Sequence, residues 1–219
     1  SNCTGNNAGE GGAVRWDGNR GVLSGSSFTG NTAGEGGAIG MYSGTVTNCN
    51  FTDNQADSAG AIRMFSGTVS NCNFTGNNAT NGGAVYFTDD AAQGNVTNCN
   101  FVDNKAAGDY SFGGAVHFSS IGNVSNCNFT NNTSSGEGGA INMGSGTVTN
   151  CNFTNNTANR DGGAIRLSST GTVTNCNFTG NNATTGSAIY FYKWLSSDTL
   201  TVSNSTFLNN RANAESLDV

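Results

Sequence analysis

Six of the seven cysteines recur at a nearly constant spacing, a pattern that could supply disulfides, metal ligands or reactive thiols. They are Cys49, Cys72, Cys99, Cys127, Cys151 and Cys176, and each lies two residues before a phenylalanine. No Cys-x-x-Cys pair or companion histidine supports a zinc site, and side chains stacked in one file pair poorly in disulfide geometry. We therefore expect a file of buried free thiols, with disulfides or a metal as alternatives, and no cofactor or metal is predicted.

Acid–base catalysis is the second chemistry that the residue types allow. His117 is the only histidine, and no second base or nucleophile is aligned with it as a triad would need. Asp89 and Asp90 offer two carboxylates for sugar chemistry, but adjacent aspartates point in different directions and a solvated loop explains them. We predict no enzymatic activity, and a carbohydrate-binding or polysaccharide-active protein is the first alternative.

The elements that carry these residues form a repeat. A Phe-x-x-Asn box recurs at steps of 23 to 29 residues, and a Gly-Gly-Ala-(Ile/Val) box, with Ser187 replacing a glycine in one case, follows each copy except the last. The phenylalanines are Phe28, Phe51, Phe74, Phe101, Phe129, Phe153, Phe178 and Phe207. Self-similarity at this period is typical of a solenoid. The sequence predicts an all-β, right-handed, single-stranded parallel β-helix of about nine turns with three strands each.

Alternating apolar residues place the strands of one turn. Ile62 and Met64 predict a first strand, Val69 a second, and Cys72 with Phe74 a third. The change of parity after Val69 requires a corner near Asn71. The asparagine that closes each Phe-x-x-Asn box should form a structural ladder of stacked amides. These asparagines are Asn31, Asn54, Asn77, Asn104, Asn132, Asn156, Asn181 and Asn210.

Composition limits the partners. The net charge of −6 and the pI near 4.4 leave no basic surface for nucleic acid or for an anionic membrane. No stretch approaches the ~20 apolar residues of a membrane span, and we recognise no signal peptide. We expect residues 1–219 to form one β-helix domain that is a segment or a processed form of a longer protein.

The outward positions suggest three uses of the surface. Aromatic and arginine side chains on the outward face of the first strand are a candidate binding face: Arg15, Tyr42, Arg63, Phe65, Tyr86, His117, Arg166, Tyr190 and Tyr192. The Thr-x-Thr pairs of the second strand, such as Thr45 and Thr47, form a hydroxyl array that an ice-binding solenoid could use. Asn-x-Ser/Thr sequons make Asn78, Asn95, Asn131 and Asn182 candidate glycosylation sites.

The two boxes also carry a family resemblance. Phe153-Thr154-Asn155-Asn156 followed by Gly162-Gly163-Ala164-Ile165 resembles the repeat of chlamydial polymorphic outer-membrane proteins and of the adhesin-like surface proteins of methanogenic archaea. The resemblance implies an extracellular, surface-displayed or secreted adhesive β-helix. Its expected partners are a host or neighbouring cell surface, glycans among them, and other copies of itself stacked end to end or flanking domains. The expected closing strand at the last turn is Leu217-Asp218-Val219.

Overall fold

The structure is a computed structural model that describes residues 1–88 and 93–212. Within these residues the chain contains strands and turns but no α-helix, and all strand pairs are parallel. Three sheets run along the solenoid, so the predicted fold class is confirmed. Asp89 and Asp90, like the expected closing strand Leu217-Asp218-Val219, lie outside the described residues.

The three sheets are named by their inward side chains or by their strand length. The Phe sheet has nine strands over the described residues: Asn2–Thr4, Ser27–Thr29, Asn50–Thr52, Asn73–Thr75, Asn100–Val102, Asn128–Thr130, Asn152–Thr154, Asn177–Thr179 and Thr206–Leu208. The Ala sheet has nine in the same part of the chain: Asn7–Glu10, Thr32–Glu35, Gln55–Ser58, Asn78–Ala79, Lys105–Ala106, Thr133–Ser134, Thr157–Ala158, Asn182–Ala183 and Arg211–Ala212.

The long sheet contains both the Ile/Val strand and the Thr-Val-Thr strand of each turn. Its twelve described strands are Val14–Trp16, Gly21–Ser24, Ile39–Thr47, Ile62–Ser70, Val85–Phe87, Gln93–Thr97, Val116–Ser125, Ile141–Thr149, Ile165–Leu167, Gly171–Thr174, Ile189–Phe191 and Leu200–Ser203. In turns with a short connection the two predicted strands are one continuous strand, as in Ile62–Ser70. In the turns where this strand divides in two, as in Val85–Phe87 and Gln93–Thr97, both parts stay in the same sheet.

The three strands of a turn are therefore divided differently from the sequence-based assignment. The predicted first and second strands share one sheet, and the third sheet is one that the apolar alternation did not indicate. Its strands are short and their inward residue is usually alanine, two residues after the ladder asparagine, as in Ala79 after Asn77. Alanine gives only a weak apolar signal, which explains why this strand was missed.

The ladder phenylalanines pack as one continuous stack in the core. Rings from Phe28 to Phe207 lie 4.7–5.0 Å apart between centroids, and their planes differ by only 2–6°. Phe51 through Phe178 have no exposed surface, whereas Phe207 is 48% exposed. Cys3 pairs with Phe28 in register and so occupies the phenylalanine position of the first turn. The core is thus a one-dimensional column that each turn extends.

The asparagine ladder is confirmed. Its buried side chains hydrogen-bond to each other and to the backbone of neighbouring turns. Asn132 Nδ2 donates to Asn156 Oδ1 and to the Phe101 carbonyl, both at 3.0 Å. Asn132 Oδ1 in turn accepts the side-chain and backbone N–H groups of Asn104, each at 3.0 Å. Asn132 is completely buried. The side chain therefore satisfies the polar groups of a corner that no sheet pairs.

The Gly-Gly box lies at the corner between the Ala sheet and the long sheet, and its two glycines have different roles. Gly138 has φ +66°, a conformation that L side chains rarely adopt. Gly139 has ordinary φ, but a Cβ there would lie 2.0 Å from the carbonyl oxygen of Gly163 in the next turn. The first glycine is required by the turn and the second by close backbone stacking.

Candidate functional site

The candidate binding face lies on the outward side of the long sheet. Strand register aligns one outward residue per turn into a file, here called the histidine row: Arg15, Gly40, Arg63, Tyr86, His117, Asn142, Arg166 and Tyr190. Tyr42, Phe65 and Tyr192 lie at the next outward position of their turns. The structure thus places the nine residues of the predicted face on one surface.

A groove runs beside the middle of the histidine row. Its opposite wall is a corner file, formed at the end of the Ala sheet by Glu10, Glu35, Ser58, Asn81, Phe112, Glu137, Asp161 and Thr185. The groove has a cavity volume of about 310 Å³, and its lining residues are Phe112, His117, Ser119, Glu137, Asn142, Gly144, Arg166 and Ser168. Residues from several turns converge here, as in a ligand pocket.

His117 is outward by strand parity but is only 9% exposed. Its ring packs against those of Tyr86 and Phe112, at centroid distances of 4.6 and 5.5 Å. Burial lowers the pKa of His117 to about 4, although contacts with Asn142 oppose the shift. The imidazole is therefore neutral at pH 7, and it is not the exposed surface residue that the sequence predicted.

Two buried nitrogen atoms of the groove have no partner among the described residues, and a third, Arg166 Nε, makes no hydrogen bond although it lies 3.0 Å from Glu137 Oε2. His117 Nδ1 and Asn142 Nδ2 make no hydrogen bond to any described residue, and Asn142 is only 3% exposed. Buried polar atoms normally find a hydrogen-bond partner, because an unpaired one costs its desolvation free energy. The pair marks the polar centre of the groove.

Arginines of the histidine row form ion pairs with glutamates of the corner file. Arg166 Nε lies 3.0 Å from Glu137 Oε2, and Arg63 Nε lies 3.0 Å from Glu35 Oε2. Arg15 contacts Glu10 in the same way. Arg166 thus places a positive charge beside Glu137 at the groove.

Exposed aromatic rings lie toward both ends of the face. Near the first turns Tyr42 stacks on Phe65 at 4.8 Å, and the Arg63 guanidinium lies 4.7 Å from the Phe65 ring centre. Near the last turns Tyr192 lies 6.0 Å from Trp194. Tyr42 and Tyr192 are 49% and 43% exposed. Exposed aromatic groups of this kind are enriched in binding surfaces.

The cysteine file lies at the corner between the long sheet and the Phe sheet, and it has a backbone role that the sequence did not indicate. All six cysteines are buried and free. Cys127 Sγ donates to the Ser125 carbonyl at 3.2 Å and accepts the Cys99 N–H at 3.4 Å. The neighbouring Cys151 and Cys99 thiols, together with burial, raise the pKa of Cys127, so it remains protonated at neutral pH.

The candidate glycosylation sites differ in accessibility. Asn131 is exposed at a corner and has φ +56°. Asn78 and Asn182 are half-buried in the Ala sheet, and Asn95 Oδ1 accepts a hydrogen bond of 3.2 Å from Asn123. Asn131 is therefore the most open of the four side chains.

Two features are absent from the described parts of the chain. No three His, Cys, Asp or Glu side chains are grouped there in a way that could hold a metal ion. No helix there has the length and apolarity to cross a membrane.

Several groove residues were not among the predicted site residues. Asn142 occupies the histidine row, and a file drawn through every turn would have included it. Phe112 and Glu137 belong to a different part of the repeat, and only the corner brings them opposite His117. Ser119 and Ser168 carry no distinguishing sequence signal.

Comparison with known proteins agrees with this architecture. A family model described as a right-handed β-helix region matches residues 1–124 and 115–218. No curated protein and no solved structure matches the chain. The two matched segments together span nearly all of the sequence, and the parallel three-sheet solenoid is the fold that the family's description names. The chain belongs to the right-handed β-helix family.

Proposed function

We propose that this protein is an extracellular adhesive β-solenoid, displayed at a cell surface or secreted, that binds other surfaces through the outward face of its long sheet. The observation that carries the proposal is the contrast between faces. Outward positions of the Phe sheet repeat one residue type, as in the hydrogen-bonded amides of Asn50, Asn73 and Asn100. The histidine row instead changes from turn to turn and is rich in aromatic and arginine residues.

The proposed partners follow from the same chemistry and from the resemblance to surface adhesins. A host or neighbouring cell surface with its glycans would meet the exposed Tyr42 and Tyr192 rings. The acidic chain, with a net charge of −6, is unsuited to nucleic acid. Glycosylation would occur at Asn131, the most accessible candidate. The proposal assigns no reaction or cofactor to the protein.

Substitutions at two places on the long sheet test the proposed binding. Tyr42→Ser combined with Tyr192→Ser should weaken binding of the whole chain to cells by about tenfold, because aromatic side chains dominate binding free energies at interfaces. The melting temperature should change little, since both side chains are exposed. The matched control, Thr45→Ser with Thr149→Ser, changes the hydroxyl positions of the same sheet. Equal losses in the two double variants would place the binding surface elsewhere.

End-to-end association of copies is a further part of the proposal. In the last described turn, Val202, Phe207 and Leu208 are 41%, 48% and 53% exposed. A second copy stacked on this turn would continue the parallel sheets and cover these side chains. Such head-to-tail contacts do not close and would build a filament.

Ice binding is the second candidate function, and the regular hydroxyl file of the long sheet favours it. The file runs unbroken through Ser24, Thr47, Ser70, Thr97, Ser125, Thr149, Thr174 and Ser203. Some of its hydroxyls bond to each other, as Ser70 Oγ does to Thr47 Oγ1 at 3.0 Å. A second file lies two residues earlier in each strand and contains Thr45 and Thr68. Asn95 and Asn123 interrupt this second file. Measured thermal hysteresis would favour this candidate over adhesion.

A further inference from the structure

We infer that the groove between the histidine row and the corner file binds one neutral sugar unit of a glycan. The inference rests on the proposed binding function of the long-sheet face, and it assigns to that face a defined site and a ligand class. The site is centred on His117, Asn142 and Arg166, which lie in three successive turns.

The dimensions of the groove suit a ligand of this size. Stacked strands are ~4.8 Å apart, so two steps from His117 to Arg166 span roughly 10 Å along the solenoid. The corner file closes one side with Phe112 and Glu137, and the other side carries Ser119 and Ser168. The resulting cavity of about 310 Å³ is open to solvent along the face. A ring with hydroxyl substituents fits such a space, and a longer glycan can leave it along the open face.

The hydrogen-bonding groups of the site suit hydroxyl groups. His117 Nδ1 and Asn142 Nδ2 are buried without a partner among the described residues, and both side chains line the cavity. A neutral imidazole nitrogen donates or accepts according to its tautomer, whereas an amide nitrogen only donates. A ligand hydroxyl does both, so a vicinal pair of hydroxyls would supply the partners that the protein does not.

The charges of the site select against acidic sugars. His117 is neutral at pH 7, because burial lowers its pKa to about 4. The positive charge of Arg166 is compensated by Glu137, whose carboxylate also lies in the lining. A uronate or sialate carboxylate would therefore meet the Glu137 carboxylate, and the arginine of the lining, Arg166, already lies against that carboxylate. The acidic net charge of the chain adds to this repulsion.

An apolar wall completes the site. The Phe112 ring lies in the lining beside His117, and the Tyr86 ring also packs against the imidazole. Tyr86 is held in place by a hydrogen bond of 3.1 Å between its hydroxyl and Ser119 Oγ. Ligand pockets combine aromatic walls with a few convergent polar groups, and this combination receives the C–H face and the hydroxyls of a sugar ring.

A glycan-binding assay on the full chain tests the inference. The probes are immobilised cellohexaose, maltohexaose and chitohexaose as neutral glycans, and oligogalacturonate and sialyllactose as acidic ones. Ser168→Trp fills the groove from an outward position, and Asn142→Ala removes its central amide. The control Thr149→Trp adds the same bulk to the strand that carries Asn142, seven residues further on and roughly 23 Å away.

We expect the chain to bind at least one neutral glycan more tightly than both acidic probes. Ser168→Trp and Asn142→Ala should each weaken that binding by about tenfold, and Thr149→Trp should leave it unchanged. Preference for an acidic probe, no binding to any neutral probe, or neutral binding unaffected by both groove variants would overturn the inference. If neutral-glycan binding is unaffected by both groove variants while adhesion to cells is lost in the Tyr42/Tyr192 double variant, the inference is overturned and the adhesive function is supported. Neutral-glycan binding without adhesion to cells would support the groove and contradict the adhesive function.

Discussion

At the scale of single residues, His117 shows how a polar side chain on an outward position becomes part of the interior. The rings of Tyr86 and Phe112 pack against it, and the neighbouring turn contributes Asn142. The shielding has an energetic consequence, because a buried imidazole resists protonation. The folding stability should therefore depend on pH.

The sign of this dependence follows from proton linkage. The pKa of His117 falls from 6.5 to about 4 on folding, so between these values the unfolded chain binds more protons than the folded one. The contribution of His117 is complete above pH 6.5 and is lost as the pH falls toward 4. At about pH 5 the free energy of unfolding should be lower by roughly 2 kcal/mol than at about pH 7.5.

Urea unfolding at the two pH values measures this loss. His117→Asn provides the control, since asparagine occupies the same row in the next turn as Asn142 and does not titrate. The variant should lose much less stability between the two pH values than the wild-type chain. A pH dependence that is the same in both proteins would show that another group is responsible.

At the scale of elements, the corner between the long sheet and the Phe sheet explains why cysteine recurs there. The residue before each cysteine has positive φ, for example Asn126 with φ 54°. This turn leaves backbone groups that the ladders do not pair, and the thiol binds them. In the last described turn Ser205 takes the same place: its hydroxyl accepts the Cys176 N–H at 3.1 Å and donates to the Ser203 carbonyl at 2.9 Å.

Two substitutions at Cys127 separate this hydrogen-bonding role from simple packing. Cys127→Val keeps an apolar side chain but leaves the Cys99 N–H buried without a partner, so the free energy of unfolding should fall by about 1–3 kcal/mol. Cys127→Ser keeps a donor and an acceptor, as Ser205 does, and should be less destabilising. Chemical denaturation of both variants measures the difference. If valine were tolerated better than serine, packing rather than hydrogen bonding would explain the cysteine file.

At the scale of the whole molecule, the stacked turns form a column whose side and ends have different properties. The inner Phe and Asn ladders repeat identically, so each added turn buries the previous one. The side carries the variable histidine row, and the last described turn exposes Val202, Phe207 and Leu208. Binding and self-association are therefore proposed for separate surfaces, and each can be removed by substitution without the other.

Self-association should depend on the apolar surface of the last described turn. We expect the light scattering of the full chain to rise with concentration and electron microscopy to show filaments. Val202→Lys should reduce both, because it places a charge where a second copy would pack against the core. Thr149→Lys adds the same charge to the side of the column and should have no effect. A monomer at all concentrations, unchanged by Val202→Lys, would exclude filament formation.

The sequence by itself determined the fold class and the inner ladders. Phe, Cys and Asn recur in one register at every turn, and a parallel solenoid is the arrangement that stacks identical side chains at each step. The corner near Asn71 was also predictable, since the parity of the inward residues changes there, and Asn71 indeed has φ 52°. These features depend on the alternation of apolar residues and on the period of the repeat, and both can be read directly from the sequence.

Only the tertiary structure decided how the strands divide into sheets and where the groove lies. Val69 could have begun a separate sheet, but the short Ser66-Gly67 connection keeps it in the strand of Ile62. The groove forms because Phe112 and Glu137 stack at one corner and face His117, Asn142 and Arg166 across it. Their proximity depends on stacking between turns and on the path of the backbone at the corner. Neither is encoded in the spacing of a single repeat, so the burial of His117 could not be predicted from the sequence.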